Sequence, residues 1–400
     1  MTQVRHALII GAGIAGTATA MALRKIGVQS TIYEAHPATA DGVGVFLTLG
    51  SNGINALRLL EADAPVTAVG FPTPGITLRS HTGKRLGESS TGLPLEDGTF
   101  SHTMKRSDLY RVLLNEATRR GIRVEFGKRL VAAEPLSDGV RARFADGTEA
   151  VGDLLIGCDG VHSTVRRLID PAAPAPHYTG LLTTGGYVSG LKVQSVPGQY
   201  DMIFGKRAFF GYVTAPDSQV WWFANVPSPE EPGRGSQRDG EMWRRRLIDL
   251  YADDNGPAVR LIEKTDRISP VSPIHTIPKL PTWYRDRMIV IGDAAHAPSP
   301  TSGQGASLSI EDAVELAKCL RDSANVSDAF ARFVAERRPR VERIIQWAAR
   351  MNSNKAPGPI ARMIRDLVLP MILKGTANSK DFRDIYEYRL DWGASGAMVH

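Results

Sequence analysis

The chain has 400 residues, 42% hydrophobic and 22% charged, a balance that excludes wholesale disorder and suggests two or three packed units at roughly 150 residues each. Its 48 basic and 42 acidic side chains leave a formal charge of +6, too thin an excess for a nucleic-acid protein without a basic stripe, yet compatible with an anionic cofactor or substrate. Two cysteines, Cys158 and Cys319, build no disulfide framework, and no CxxC or Cys/His cluster offers a metal site, so a cytoplasmic protein is expected.

Arg5 to Leu23 mimics a signal peptide, but it carries three glycines at regular offsets and lacks a convincing cleavage context. No other run approaches the ~20 apolar residues of a membrane span, and no stable membrane attachment is expected. Ala7–Ile10 reads as a strand buried on both faces of a parallel sheet. Gly11 to Gly16 breaks it, a helix follows from Thr17 to Ile26, Gly27 stops that helix, and Ser30–Tyr33 is the second strand of a βαβ unit. Phe71 to Phe100 is rich in Gly, Ser and Thr with short β-like runs, and Arg106 to Arg120 reads as a helix with Ser107 as its cap. Phe126 to Ile156 holds several strands, with Asp146-Gly147 as a hairpin turn.

Three prolines between Asp170 and Pro176 mark a boundary. Tyr178 to His275 reads as mostly β, with a hairpin from Gln199 to Val213 about Gly205-Lys206, a strand at Val220–Val226 and a polar loop from Ser228 to Gly240. Met288–Ile291 returns as a buried strand, followed by a Gly/Ser/Pro turn and a helix from Ser307 to Arg321. The tail from Ala331 is helical, with a break at Asn352–Gly358. Arg332, Arg337, Arg338, Arg340 and Arg343 read as its solvated face. Ile360 to Leu373 is amphipathic, and Pro370 favours a packed helix there over a membrane-surface one.

Three motifs carry chemistry. Gly11-Ala-Gly13-Ile-Ala15-Gly16 is a GxGxxG turn between strand and helix. Its glycines allow a tight turn, close approach of a pyrophosphate and close helix–strand packing. Glu34, at the end of the second strand, is placed to accept a ribose hydroxyl. Asp159-Gly160 and Gly292-Asp293 each put a carboxylate at a strand's C-terminal end, where open α/β sheets bind ligands. The Gly303/Gly305 turn opens a helix whose N–H groups suit negative charge.

In this order and spacing the motifs resemble those of the group A flavoprotein monooxygenases, the para-hydroxybenzoate hydroxylase-like family, over essentially the whole chain. The resemblance implies an α/β fold. A Rossmann-like FAD-binding domain would comprise 1–70, 100–172 and 276–330, a β-sheet substrate domain 71–99 and 173–275, and a C-terminal helical segment 331–400. It implies FAD contacts at Gly11, Gly13, Ala15, Gly16, Glu34, Gly44, Val45, Arg106, Leu130, Asp159, Gly292 and Asp293, and at Pro300, Gly303, Gly305 and Ala306 beside the flavin ring. NADH or NADPH would reduce the flavin, and a C4a-hydroperoxyflavin would hydroxylate an electron-rich, aromatic small molecule with dioxygen as co-substrate. The chain would act as a monomer or homodimer.

The chain departs from the family at three places. Glu34-Ala35-His36 lacks the usual basic residue, Ser307 stands where Asn is common, and Gly50-Ser51-Asn52 replaces the common Pro-Asn. The adjacent Trp221-Trp222 pair has the wrong spacing for a halogenase motif and reads as a strand with Trp222 and Ala224 on one face and Trp221, Phe223 and Asn225 on the other. One of these aromatic sets is expected to roof the substrate; the pattern leaves open which, and Phe210, Tyr212 and Trp222 are the residues named as substrate contacts, while His296 is read as a structural hydrogen bonder and Cys158 as a small buried residue. No side chain stands out as a catalytic acid or base. An epoxidase, a halogenase, an oxygen-independent flavin reductase and a non-catalytic flavin-binding protein are the competing readings.

Overall fold

The computed structural model describes residues 4–37, 44–233, 235–277, 279–352, 366, 368–369 and 380–393. Among these residues no helix is long and apolar enough to cross a membrane. The α/β architecture rests on two large sheets.

The first sheet has five parallel strands in the order Met288–Val290, Leu154–Gly157, His6–Ile10, Gln29–Tyr33 and Arg123–Glu125, with the antiparallel pair Tyr284–Arg285 at one edge. His6–Ile10 lies in the middle, with Ile9 opposite Ile156 on one side and Ile32 on the other. That position explains its unbroken apolar run, since both faces and both edges are covered. The helix Ile14–Lys25 starts directly after the glycine turn, three residues earlier than its composition suggested, and packs against the helix Gly305–Asp322. Gly27 sits at φ +81° just past its end, as a helix-stopping glycine should.

The second sheet has seven strands, in the order Ser272–Thr276, His177–Val188, Val220–Pro227, Phe209–Thr214, Gln199–Phe204, Gly75–Ser80 and Arg85–Ser90. Its only parallel contact joins Gln199–Phe204 to Gly75–Ser80. A small three-stranded sheet, Phe46–Leu49, His102–Lys105 and Gly70–Pro72, stands between the two. Its side chains face both ways: Met104 is buried in the large core, whereas Phe46 meets aromatic rings of the second sheet.

Three local expectations change. Lys105, not Ser107, occupies the N-cap of the helix Arg106–Arg119, and no side chain caps it. The stretch expected to be mostly β contains the helices Gly240–Tyr251 and Ala258–Lys264. Asp239 caps the first by accepting from the Met242 N–H, and Trp243, Leu247 and Tyr251 recur every four residues on its buried face.

The arginines of the helix Val326–Asn352 do not share one solvated face. Arg337 and Arg340 are buried against Glu311 and Asp312, because the helix Gly305–Asp322 presents two carboxylates there that require cations. Most of the break expected at 352–358 and of the helix expected at 360–373 lies outside the described residues.

Candidate active site

The glycine turn shows what each position must do. Gly11 has φ +103°, and a Cβ there would stand 2.5 Å from the Cys158 carbonyl oxygen. A Cβ at Gly16 would stand 1.9 Å from the Gly11 carbonyl oxygen, so the helix can touch the strand only without a side chain. At Gly13 the nearest atom to such a Cβ is in the Tyr110 ring, 3.6 Å away, which leaves the backbone open to an approaching group. The helix after it has no capping side chain and no acidic residue in its first turn, so its N-terminal N–H groups are available to an anion. Glu34 lies beside this turn because the N–H groups of Ala12 (2.8 Å) and His36 (2.9 Å) donate to its carboxylate.

A second lining runs along Gly44, Arg106, Asp293 and Gly305. Gly44 has φ +75°, and a Cβ there would press on Arg106 Cδ at 2.9 Å. Arg106 donates to the Tyr110 hydroxyl at 3.0 Å, but its buried Nε has no partner. Asp293 Oδ1 lies 3.8 Å from where a Gly305 Cβ would be. Burial raises the Asp293 carboxyl above the usual carboxylate range against the pull of the Arg106 guanidinium, and no described residue donates it a hydrogen bond. Pro300–Ser302 forms a 3-10 turn, Gly303 follows at φ +61°, and the helix begins at Gly305 with Ala306 half-buried.

Three expected residues sit differently. Asp159 spends its carboxylate on the Ser163 hydroxyl and on the N–H groups of Thr164 (2.7 Å) and Val165 (3.1 Å), at the start of the helix Thr164–Ile169. Leu130 and Ala15 are side chains of the large core, and a Cβ at Gly292 would come within 3.0 Å of the Ala15 methyl.

The substrate set requires a correction. Phe210, Tyr212 and Trp222 point to the face of the second sheet covered by the helices Gly240–Tyr251 and Ala258–Lys264, where Phe210 stacks on Trp222 at 5.4 Å and meets Tyr251 at 5.2 Å. They are core residues with no open surface. The opposite face carries Tyr187, Tyr200, Trp221 and Phe223 around Phe46. Phe46, Tyr187 and Phe223 are only half-buried, so this face is the less closed of the two, and it lies next to Val45. Tyr187 fastens the two sides by donating to the Val45 carbonyl at 2.7 Å.

Sequence reasoning missed the support behind the site. Asp312 accepts from the Gly292 N–H (2.9 Å) and Arg337 Nε (2.7 Å) and pairs with His296 Nε2 (2.5 Å). His296 is thus the structural hydrogen bonder expected of it. Glu311 receives Arg340, Arg337 and Asn52, and Asn52 also donates to Gln304. Ser307 accepts from the Gly50 N–H at 3.1 Å. Arg166 ties the two Asp-bearing turns together through the carbonyls of Ala294 and Val161. Two adjacent carboxylates inside an apolar helix were the legible signal for the first of these networks. Cys158 is buried as expected, and burial raises its thiol.

The open backbone at Gly13, the uncapped helix start, the unpartnered Arg106 Nε and the undonated Asp293 carboxylate fit a dinucleotide bearing phosphates, hydroxyls and a polar ring. Comparison with known proteins agrees. A family profile described as FAD binding domain matches residues 4–348. An FAD-dependent urate hydroxylase from Klebsiella pneumoniae is 30% identical over 349 residues, covering 85% of this chain and 87% of that protein. An aurachin C monooxygenase/isomerase from Stigmatella aurantiaca is 28% identical over 384 residues, covering 94% and 97%. The crystal structure of Klebsiella pneumoniae HpxO complexed with FAD and uric acid superposes with a TM-score of 0.83 at 25% identity, covering 96% of this chain and 98% of that one.

Proposed function

The chain belongs to the FAD-dependent aromatic hydroxylase family, and from that premise we propose that it uses NADH or NADPH and dioxygen to hydroxylate an electron-rich ring. The observation that carries the reading is the pairing of two surfaces: a lining with open backbone at Gly13, an unpartnered Arg106 Nε and an Asp293 carboxylate that accepts from no described residue, and a half-buried aromatic wall joined to it through Tyr187 and Val45. When bound and reduced, FAD supplies the activation of dioxygen.

The residues of this chain do the positioning. The N–H groups at the start of Ile14–Lys25 hold the pyrophosphate, and Glu34 accepts from a ribose hydroxyl. Asp293 would accept from a cofactor hydroxyl, and Arg106 would offer its free Nε–H to the cofactor. The N–H groups opening the helix Gly305–Asp322 would offer positive partial charge to the flavin ring. Tyr187, Trp221, Phe223 and Phe46 hold an aromatic substrate and keep water from the reaction zone. No side chain is assigned as acid or base.

The test is NADH and NADPH oxidation by the FAD-bound protein with a panel of phenolic and polycyclic compounds under isotopically labelled dioxygen. One labelled oxygen in an organic product is expected. Turnover without oxygen that yields a product enriched in hydrogen would replace this reading with that of a flavin reductase.

A further inference from the structure

Lys105 and Arg106 are neighbours that point to opposite sides of the small sheet. Arg106 turns to Gly44, Tyr110 and Asp293. Lys105 pairs directly with Phe46 across the antiparallel strands, so its side chain leaves on the same face as Phe46, towards the aromatic wall. The residues that alternate with it, Met104 and its partner Leu47, belong to the large core on the other face.

The Lys105 ammonium lies 4.9 Å from the centre of the Tyr187 ring and 5.5 Å from that of Trp221, and those two rings meet edge-on at 5.5 Å. Such a corner attracts a cation and fixes where it stands, but satisfies none of its three N–H donors. Among the described residues none accepts a hydrogen bond from Nζ, and none forms an ion pair with it. Asp108, whose charge reaches Tyr187, is engaged by Arg111 at 2.7 Å. A positive charge is therefore held, half-buried and without a counter-ion among the described residues, in the aromatic wall one residue before Arg106.

We propose that Lys105 determines substrate specificity by pairing with an anionic oxygen, a carboxylate or a phenolate, carried on the aromatic substrate. This rests on the aromatic hydroxylase reading for its choice of an aromatic ligand. The ammonium anchors the anionic end while Tyr187, Trp221 and Phe46 contact the ring, and the acceptor supplies the missing partner for the N–H donors. A charge-assisted hydrogen bond of this kind corresponds to about a tenfold to hundredfold difference in affinity between an acid and its neutral analogue.

The experiment is an equilibrium titration of the oxidised, FAD-bound protein, read by flavin fluorescence and absorbance, without any reductant. Benzoate against benzamide tests the carboxylate, and pentafluorophenolate against pentafluoroanisole tests the phenolate. The native protein is expected to bind at least one anion tenfold or more tighter than its neutral partner. Lys105→Met should abolish that preference while leaving the affinity for the neutral partner within about twofold, and Lys105→Arg should restore most of it.

A native protein with no preference for either anion, or binding neither, overturns the proposal. So does a Lys105→Met variant that keeps the preference, and if that variant loses FAD, the same criterion is applied to Lys105→Gln. Because no turnover is involved, an anion preference lost with Lys105 stands even if labelled oxygen never reaches a product. Conversely, labelled product formed without any anion preference removes this proposal and leaves the hydroxylase reading intact.

Discussion

Gly16 and Trp222 show how one atom or one strand position decides a role. A methyl group at Gly16 would stand 1.9 Å from a backbone oxygen, and backbone cannot yield as a flexible side chain would. Gly16→Ala is expected to separate helix from strand and cost most of the bound flavin, measured as the ratio of flavin to protein absorbance after purification. In the second sheet, Trp222 and Phe223 are adjacent yet serve opposite faces. Trp222→Ala should destabilise the fold by about 3–5 kcal/mol in urea unfolding, since it empties a closed core. Phe223→Leu should leave the flavin spectrum unchanged and raise KM for a ring substrate several-fold.

At the scale of elements, the helix Gly305–Asp322 joins the site to the C-terminal part of the chain. It opens at the turn expected beside the flavin, and two residues on, still in its first turn, it offers Ser307 to Gly50. Deeper still, Glu311 and Asp312 receive the arginines of Val326–Asn352. Arg337 is fully buried between the two carboxylates, so Arg337→Ala removes the cation they share, leaves two buried carboxylates with one arginine and one histidine, and is expected to cost about 3–5 kcal/mol in urea unfolding.

The same network has a pH signature. Burial by itself would raise the Asp312 carboxyl, but His296, Arg337 and the Gly292 N–H outweigh it and hold it down to about 2. A carboxyl lowered in the folded state contributes stability above its unfolded pKa and loses it as pH falls through the folded value. The unfolding free energy of the native protein should therefore exceed that of Asp312→Asn at neutral pH, with on the order of 2 kcal/mol of the difference coming from this shift. That part should shrink from about pH 4 towards pH 2, as denaturant titrations at each pH would show.

At the scale of the molecule, the proposed cofactor lining draws on residues from Gly11 to Ala306, so FAD should act as a cross-link between distant parts of the chain. FAD at 100 times its Kd should raise the unfolding free energy by about 2.7 kcal/mol and the melting temperature with it, increasing with concentration, in thermal scans of apoprotein titrated with the cofactor. The sequence by itself determined the βαβ unit, the three turns and the family, because each glycine or carboxylate there answers a local constraint: a positive φ, a close backbone approach, a strand's end. The hairpin about Gly205-Lys206 and the turn at Asp146-Gly147 were legible for the same reason. Alternation even separated Trp221 from Trp222, but a strand pattern has two faces and carries no sign of which one a helix will cover. Only the tertiary structure decided that Gly240–Tyr251 closes over Phe210, Tyr212 and Trp222, that Arg337 and Arg340 turn inward, and that Lys105 meets two rings far along the chain. Each of these depends on a partner supplied by a distant segment, and burial, unlike a turn, is a property of the pair.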